Sequence, residues 1–147
     1  MKEITLKPIG FVKNKVEQPR FGGFAKEVSE IIIDKKFTKA LDGIEDYSHV
    51  IIVYWMDRVK GRVIKHVPQG KKGIVPEVGI FSCRCPERPN PIAITTVRLL
   101  ERSGNKIKVQ GLDILNNTPV IDIKPYWPQY DFVENARIPE WVFKLDF

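Results

Sequence analysis

Ile92-Ala-Ile-Thr-Thr-Val-Arg-Leu-Leu-Glu-Arg-Ser-Gly-Asn-Lys-Ile-Lys-Val-Gln110 is the stretch that decides the fold. Ile92 to Glu101 reads as a strand, rich in apolar and β-branched residues. Ser103-Gly104-Asn105 then supplies a turn. Lys106 to Gln110 alternates, with Ile107 and Val109 on one face and Lys106, Lys108 and Gln110 on the other. Working outward, Ser48 to Met56 has the apolar, aromatic character of a buried strand, and Ile4 to Val12 and Val28 to Asp34 predict two more. Gly61 to Val67 and Val78 to Cys83 are weaker strand candidates. The turn at Asn116-Asn117-Thr118-Pro119 precedes Val120 to Lys124, where Ile121 and Ile123 oppose Val120, Asp122 and Lys124. Phe37 to Leu41, closed by Asp42-Gly43, predicts a short helical turn, and Pro139 to Leu145 a short helix anchored by Trp141. Strands joined by short turns, without repeated helical patterns, predict a mainly β chain folded as an antiparallel barrel or sandwich.

The chain has 147 residues, enough for one domain with a proper core, and residues 1–147 are expected to form it. Apolar content of 43% and charged content of 29% exclude a disordered tail. No apolar run is long enough for a transmembrane helix, and Met1 to Thr5 begins no apolar signal core, so a cytoplasmic protein is expected. The formal charge of +6 is compatible with a polyanion such as RNA, although the lysines are scattered. Cys83 and Cys85 are too close for an easy mutual disulfide. With only His49 and His66 to add imidazoles, they predict packing thiols and no metal site.

Gly79 to Ile92 carries the chemistry. Prolines at 86, 89 and 91 restrict Cys85, Arg88 and Asn90, giving Arg84, Arg88 and Asn90 a stiff scaffold. A proline-rich surface turn with solvated arginines is the plainer alternative. The chain has no dinucleotide fingerprint, phosphate-binding loop or serine nucleophile elbow.

Four segments together resemble the TsaA-like (TrmO) family of S-adenosylmethionine-dependent tRNA methyltransferases. They are Pro8 to Val12, Leu41 to Val50 (L-D-G-I-E-D-Y-S-H-V), Gly79 to Ile92 (G-I-F-S-C-R-C-P-E-R-P-N-P-I), and Gly111 to Leu115 followed by Thr118 to Tyr126. The resemblance implies a small antiparallel β-barrel with short helical turns and a C-terminal extension, and a homodimer that holds S-adenosyl-L-methionine near the subunit interface. It implies methylation of N6 of threonylcarbamoyladenosine, 3′ of the tRNA anticodon. Some members add a C-terminal domain, and this chain is expected to be the barrel alone.

Carried over residue by residue, the resemblance implies cofactor contacts from Arg84, Ile94 and the Gly111, Leu112, Asp113, Ile114 segment. Arg20 enters through a looser match of Pro19 to Phe24. Arg88, Asn90, Lys124 and Tyr126 fall on further motif positions. Members commonly have Asp-Gly-Thr-Pro where this chain has Asn116-Asn117-Thr118-Pro119, and Asn tolerates the left-handed conformation such a turn uses. An N6 lone pair delocalised into a carbamoyl group needs its proton removed, so a base is expected. Asp113 and Asp122 are candidates, against simple turn-ordering or lysine-pairing roles. His49 is a third, against a structural hydrogen bond. Tyr54, Trp55, Tyr126, Trp127 and Tyr130 are either base-stacking or core and interface aromatics. A barrel that binds S-adenosylmethionine or RNA without turnover is the alternative function.

Overall fold

Val50, Ile52 and Tyr54 are buried while His49, Ile51, Val53 and Trp55 between them keep some exposure, the period-two signature of a strand with one face in a core. That strand, β3 (His49–Trp55), is central to a barrel seen in a computed structural model that describes all residues, 1–147. The other barrel strands are β1 (Gly10–Lys13), β2 (Val28–Ile33), β6 (Ile92–Ser103), β7 (Lys106–Gln110) and β8 (Pro119–Pro125). They close in the order β1-β2-β7-β6-β3-β8, every pairing antiparallel, with β8 returning to β1 through Gly10↔Val120. Closure removes the edge strands that a sandwich would leave. Thirteen buried residues, among them Val12, Ile31, Val50, Ile52, Val97, Ile107, Val109 and Val120, fill the interior.

Four expectations needed correction. The first strand begins at Gly10, and Ile4 and Leu6 are exposed outside the barrel. Gly10 can start β1 because a Cβ there would lie 2.3 Å from the Ile32 carbonyl oxygen across the pair. Val78 to Cys83 gives only β5 (Val78–Gly79), which turns into a 3₁₀ helix at Ile80–Ser82, and Gly61 to Val67 contributes only β4 (Lys65–His66). In β8 a bulge opposite Val53 and Tyr54 shifts the alternation, so Val120 and Ile123 both turn to the core while Asp122 and Lys124 face out.

Helical turns behave as read. Lys35–Leu41 is 3₁₀, capped by Asp34, and Glu140–Lys144 is 3₁₀ near the C-terminus. A one-turn helix, α1 (Pro128–Asp131), is additional. Arg102 fastens the first turn to the barrel: its guanidinium donates to the Thr38 and Leu41 carbonyls and to the Asp42 and Glu45 carboxylates at 3.0–3.2 Å.

Between β3 and β6 the chain leaves the barrel and returns at Ile92. This excursion holds β4 and β5 and a second small core of Ile80, Cys83 and Cys85 packed with Val63, Val78 and Trp141. Both cysteines are reduced and buried, and burial pushes the Cys85 thiol up to about 12, which keeps it from serving as a thiolate nucleophile at neutral pH. The C-terminal segment straps the excursion down. Gln69 exchanges two 2.9 Å hydrogen bonds with the Asp146 backbone, and Lys71 pairs with the Asp146 carboxylate at 3.0 Å.

Candidate active site

β7 leaves β6 at Arg98↔Gln110, so the first half of β6, Ile92 to Val97, pairs only with β3. Its other edge is open, and the Gly111 to Ile114 segment and the Gly79 to Ile92 loop both reach this gap. Arg84 comes from the loop. It is exposed, and its guanidinium donates to the Ile94 carbonyl at 3.0 Å, which holds the charged group against the open edge.

Asp113 comes from the segment after β7. Leu112 and Ile114 on either side are buried, so Asp113 is turned to the surface between two core anchors. Its backbone carbonyl accepts a 2.9 Å hydrogen bond from the Tyr54 hydroxyl, which also meets Thr95 Oγ1 at 3.0 Å. Protein atoms crowd the carboxyl, and this burial raises its pKa above the ordinary carboxylate value, against the pull of Arg20 and Arg84. The Tyr54 phenol is itself pushed up to about 12 by burial, so it acts as a neutral donor and not as a base.

The third contributor is the loop before β2. Arg20 pairs with Glu27 at 2.7 Å, donates to the Gly23 carbonyl and lies over the Phe24 ring at 4.5 Å. The Glu27 carbonyl accepts from the Gly111 N–H at 2.9 Å, and Gly111 turns there with φ +94°. One patch therefore gathers two guanidiniums, one carboxylate of raised pKa and an unpaired strand edge.

Arg20, Arg84, Ile94, Gly111, Leu112, Asp113 and Ile114, distant in sequence, are thus brought together. The other expected site residues make contacts of their own. Arg88 is turned inward: one guanidinium nitrogen donates to the carbonyls of Ile80, Cys83 and Cys85 at 2.7–3.3 Å. Asn90 is exposed on the turn into β6, its carbonyl accepting from Ile92 N–H. His49 begins β3, about 17 Å along the strand from Tyr54 at a rise of roughly 3.3 Å per residue. There it takes a 2.7 Å contact with Ser48 Oγ and meets Tyr126 edge-on. Asp122 faces outward on β8 and pairs with Lys124 at 2.8 Å, the lysine-pairing role.

Thr95 and Glu27 adjoin the patch and escaped the sequence, and Tyr54, expected to stack on a base or pack in the core, instead pins the Asp113 carbonyl. Tyr54 gave one signal, since alternation along β3 puts it inward, where a phenol needs a partner. The Asn116-Asn117 turn survives: Asn117 is left-handed at φ +64°. Asn116 accepts from Asn14 N–H at 3.1 Å and donates to Glu17 at 2.9 Å, a donation that a carboxylate in its place could not make. A surface depression of 430 Å³ lined by Leu41, Asp42, Ile44, Asp46, Tyr47 and Ile123 has two carboxylates and no cationic side chain in its wall. No group of three His, Cys, Asp or Glu side chains is placed to hold a metal ion.

Residues 10–132 match the family described as tRNA-methyltransferase O N-terminal domain. An S-adenosyl-L-methionine-binding protein of Archaeoglobus fulgidus is 43% identical over 138 residues, covering 91% of this chain and 97% of that protein. The human tRNA (adenine(37)-N6)-methyltransferase is 36% identical over 106 residues, covering 72% of this chain and 24% of that protein. Among solved structures, TrmO from Pseudomonas aeruginosa superposes with a TM-score of 0.77 at 27% identity, covering 95% of this chain. The chain spans 62% of the length of that solved protein.

Proposed function

The chain belongs to the tRNA-methyltransferase O N-terminal domain family, and on that premise we propose that it is an S-adenosyl-L-methionine-dependent tRNA methyltransferase acting on N6 of threonylcarbamoyladenosine 3′ of the anticodon. The observation that carries this is the convergence of Arg84, Arg20 and Asp113 at the open edge of β6. The donor set fits the cofactor. Two guanidiniums suit its carboxylate, and the unpaired backbone of β6 with the Gly111 to Ile114 segment offers the donors and acceptors an adenine edge needs. Arg84 is the residue best placed to take the carboxylate, because the Ile94 carbonyl already orients its guanidinium.

When bound, S-adenosylmethionine supplies an electrophilic methyl group on a sulfonium. The chain must hold the acceptor nitrogen in line with that methyl group and remove the N6 proton as the new bond forms. Asp113 takes that proton. Its raised pKa makes it a better base than an ordinary surface aspartate, and Tyr54 fixes its backbone. Asp122 and His49 have other tasks.

The protein acts as a homodimer in the cytoplasm, residues 1–147 forming one barrel domain with its flanking segments. Support for the dimer comes from the outer face of β3 and β6. Ile51, Val53, Trp55, Ile92 and Ile94 form an apolar patch there through the pairs Val53↔Ile94 and Trp55↔Ile92, directly beside the site. No helix is long and apolar enough to cross a membrane.

The Asn116 departure favours a second reading, a cofactor-binding barrel without turnover. Incubating the protein with S-adenosylmethionine and tRNA bearing threonylcarbamoyladenosine, then analysing nucleosides by mass spectrometry, separates the two. The expected product is that nucleoside heavier by one methyl group. Cofactor bound with no methylated nucleoside would establish the second reading.

A further inference from the structure

The excursion from Arg58 to Arg88 contains eight Lys and Arg against two Glu. That excess of six equals the formal +6 of the whole chain, so everything outside the excursion is neutral on balance. The charge that looks scattered along the sequence is therefore gathered in one structural unit. Arg62 to His66 runs beside Gly79 to Arg88, joined by Val63 N–H to Glu87 O at 3.0 Å, Ile80 N–H to Ile64 O at 2.9 Å and the β4–β5 pair. Lys60 and Lys72 are exposed and have no ion-pair partner. Of the two carboxylates, Glu77 lies 3.9 Å from Lys65, and Glu87 keeps one buried oxygen unpartnered.

Phe81, within this unit, is 80% exposed. Its backbone is anchored. The residue before it is buried and bonded on both sides: Ile80 N–H donates to Ile64, and Ile80 O accepts from Arg88 at 3.1 Å. The Arg88 guanidinium carbon lies 5.9 Å from the ring centroid. Ile64, 79% exposed on the neighbouring run, extends the apolar surface. Three residues further along, Arg84 enters the cofactor patch.

We propose that the Arg58–Arg88 excursion is the RNA-contact surface of this protein and that Phe81 is the platform on which an unpaired base stacks. This rests on the tRNA reading above and deepens it. An exposed aromatic ring on an anchored backbone, in the unit that carries the positive excess, is what single-stranded RNA recognition requires: stacking for the splayed base and cations for its phosphates. A second copy of the chain fits this unit poorly, because its surplus of Lys and Arg over Glu would meet the same surplus on the other copy.

The test uses an anticodon stem-loop RNA with 2-aminopurine at the position 3′ of the anticodon, with S-adenosylhomocysteine present. Wild type and Phe81→Trp should quench the probe. Phe81→Ala should lose the quenching and about tenfold in RNA affinity, keeping cofactor affinity and hydrodynamic size. Lys60→Glu with Lys72→Glu should reduce the salt dependence of RNA binding by about two phosphate contacts. Wild-type affinity and quenching in Phe81→Ala would overturn the proposal. So would a shift of Phe81→Ala to a smaller species, which would assign the face to a second copy. If wild type fails to bind the RNA at all, the tRNA reading falls as well. RNA bound with quenching, but no methyl transfer to threonylcarbamoylated tRNA, removes the enzyme reading and supports the stacking surface.

Discussion

Arg84 is held by a single hydrogen bond to the Ile94 carbonyl, so most of its donors remain for a ligand. A charged hydrogen bond contributes about 1.5–3 kcal/mol. Arg84→Ala is therefore expected to weaken S-adenosylmethionine binding by about 10- to 100-fold, read by calorimetry, with an unchanged circular dichroism spectrum. Affinity equal to wild type would return Arg84 to the status of a solvated turn residue. Asp113 makes a second prediction in two directions. Its folded-state pKa lies above its ordinary value, so ionisation costs the folded state. That cost is absent below the unfolded-state pKa and grows as pH rises through the raised one. Asp113→Asn should then be at least as stable as wild type at neutral pH, with the difference vanishing in acid. Methyl transfer should meanwhile fall by about 10²- to 10⁴-fold, as expected for loss of a general base. Denaturant titrations at neutral and acid pH, with single-turnover rates, read both effects.

At the scale of elements, the Gly79 to Ile92 motif joins a fold role to a site role. Arg88 is the pin: one guanidinium nitrogen serves three carbonyls of the turn that carries Phe81 and Arg84. Arg88→Ala strips those carbonyls of their donor and should destabilise the protein by about 1–3 kcal/mol, seen as a lowered thermal midpoint. The salt slope of RNA binding should stay as in wild type, because this cation faces the protein. A slope reduced by one contact with unchanged stability would reverse that assignment. The strands were legible where alternation runs unbroken, as in Lys106–Gln110, or where an apolar, β-branched and aromatic run is long enough, as in His49–Trp55. They were misread where tertiary contacts override local pattern. The bulge opposite Val53 and Tyr54 inverts the parity of β8, and Val78 to Cys83 gives up its ladder because Arg88 gathers its carbonyls into a turn. Proximity of Arg20, Arg84 and Asp113 depends on β7 ending early against β6, which no local pattern encodes; the family resemblance alone indicated it. Tyr54 and Thr95 stayed hidden because a hydroxyl that pins a backbone carbonyl has no sequence signature.

The whole molecule separates its tasks by region. The barrel interior is apolar, the positive excess lies on the excursion, and the C-terminal strap ties the two together through Gln69 and Lys71. What remains is the outer face of β3 and β6, where Ile51, Val53, Trp55, Ile92 and Ile94 stand in register on a barrel whose core is already full. Apolar residues arranged this way on the outside of a closed sheet gain little in a monomer, and burying them against a symmetry-related copy is the usual remedy. Because Ile94 offers its carbonyl to Arg84, a partner seated on that face would abut the cofactor patch of the first subunit. Val53→Glu places a charge at the centre of the patch and leaves the interior untouched, since Val53 alternates outward from Ile52 and Tyr54. The variant is expected to run as a folded monomer in light scattering at concentrations where wild type is a dimer. Its cofactor affinity should also fall, even though no cofactor-facing residue has changed. A monomeric wild type that methylates tRNA would separate the site from the interface. A dimeric Val53→Glu variant would move the interface elsewhere on the barrel.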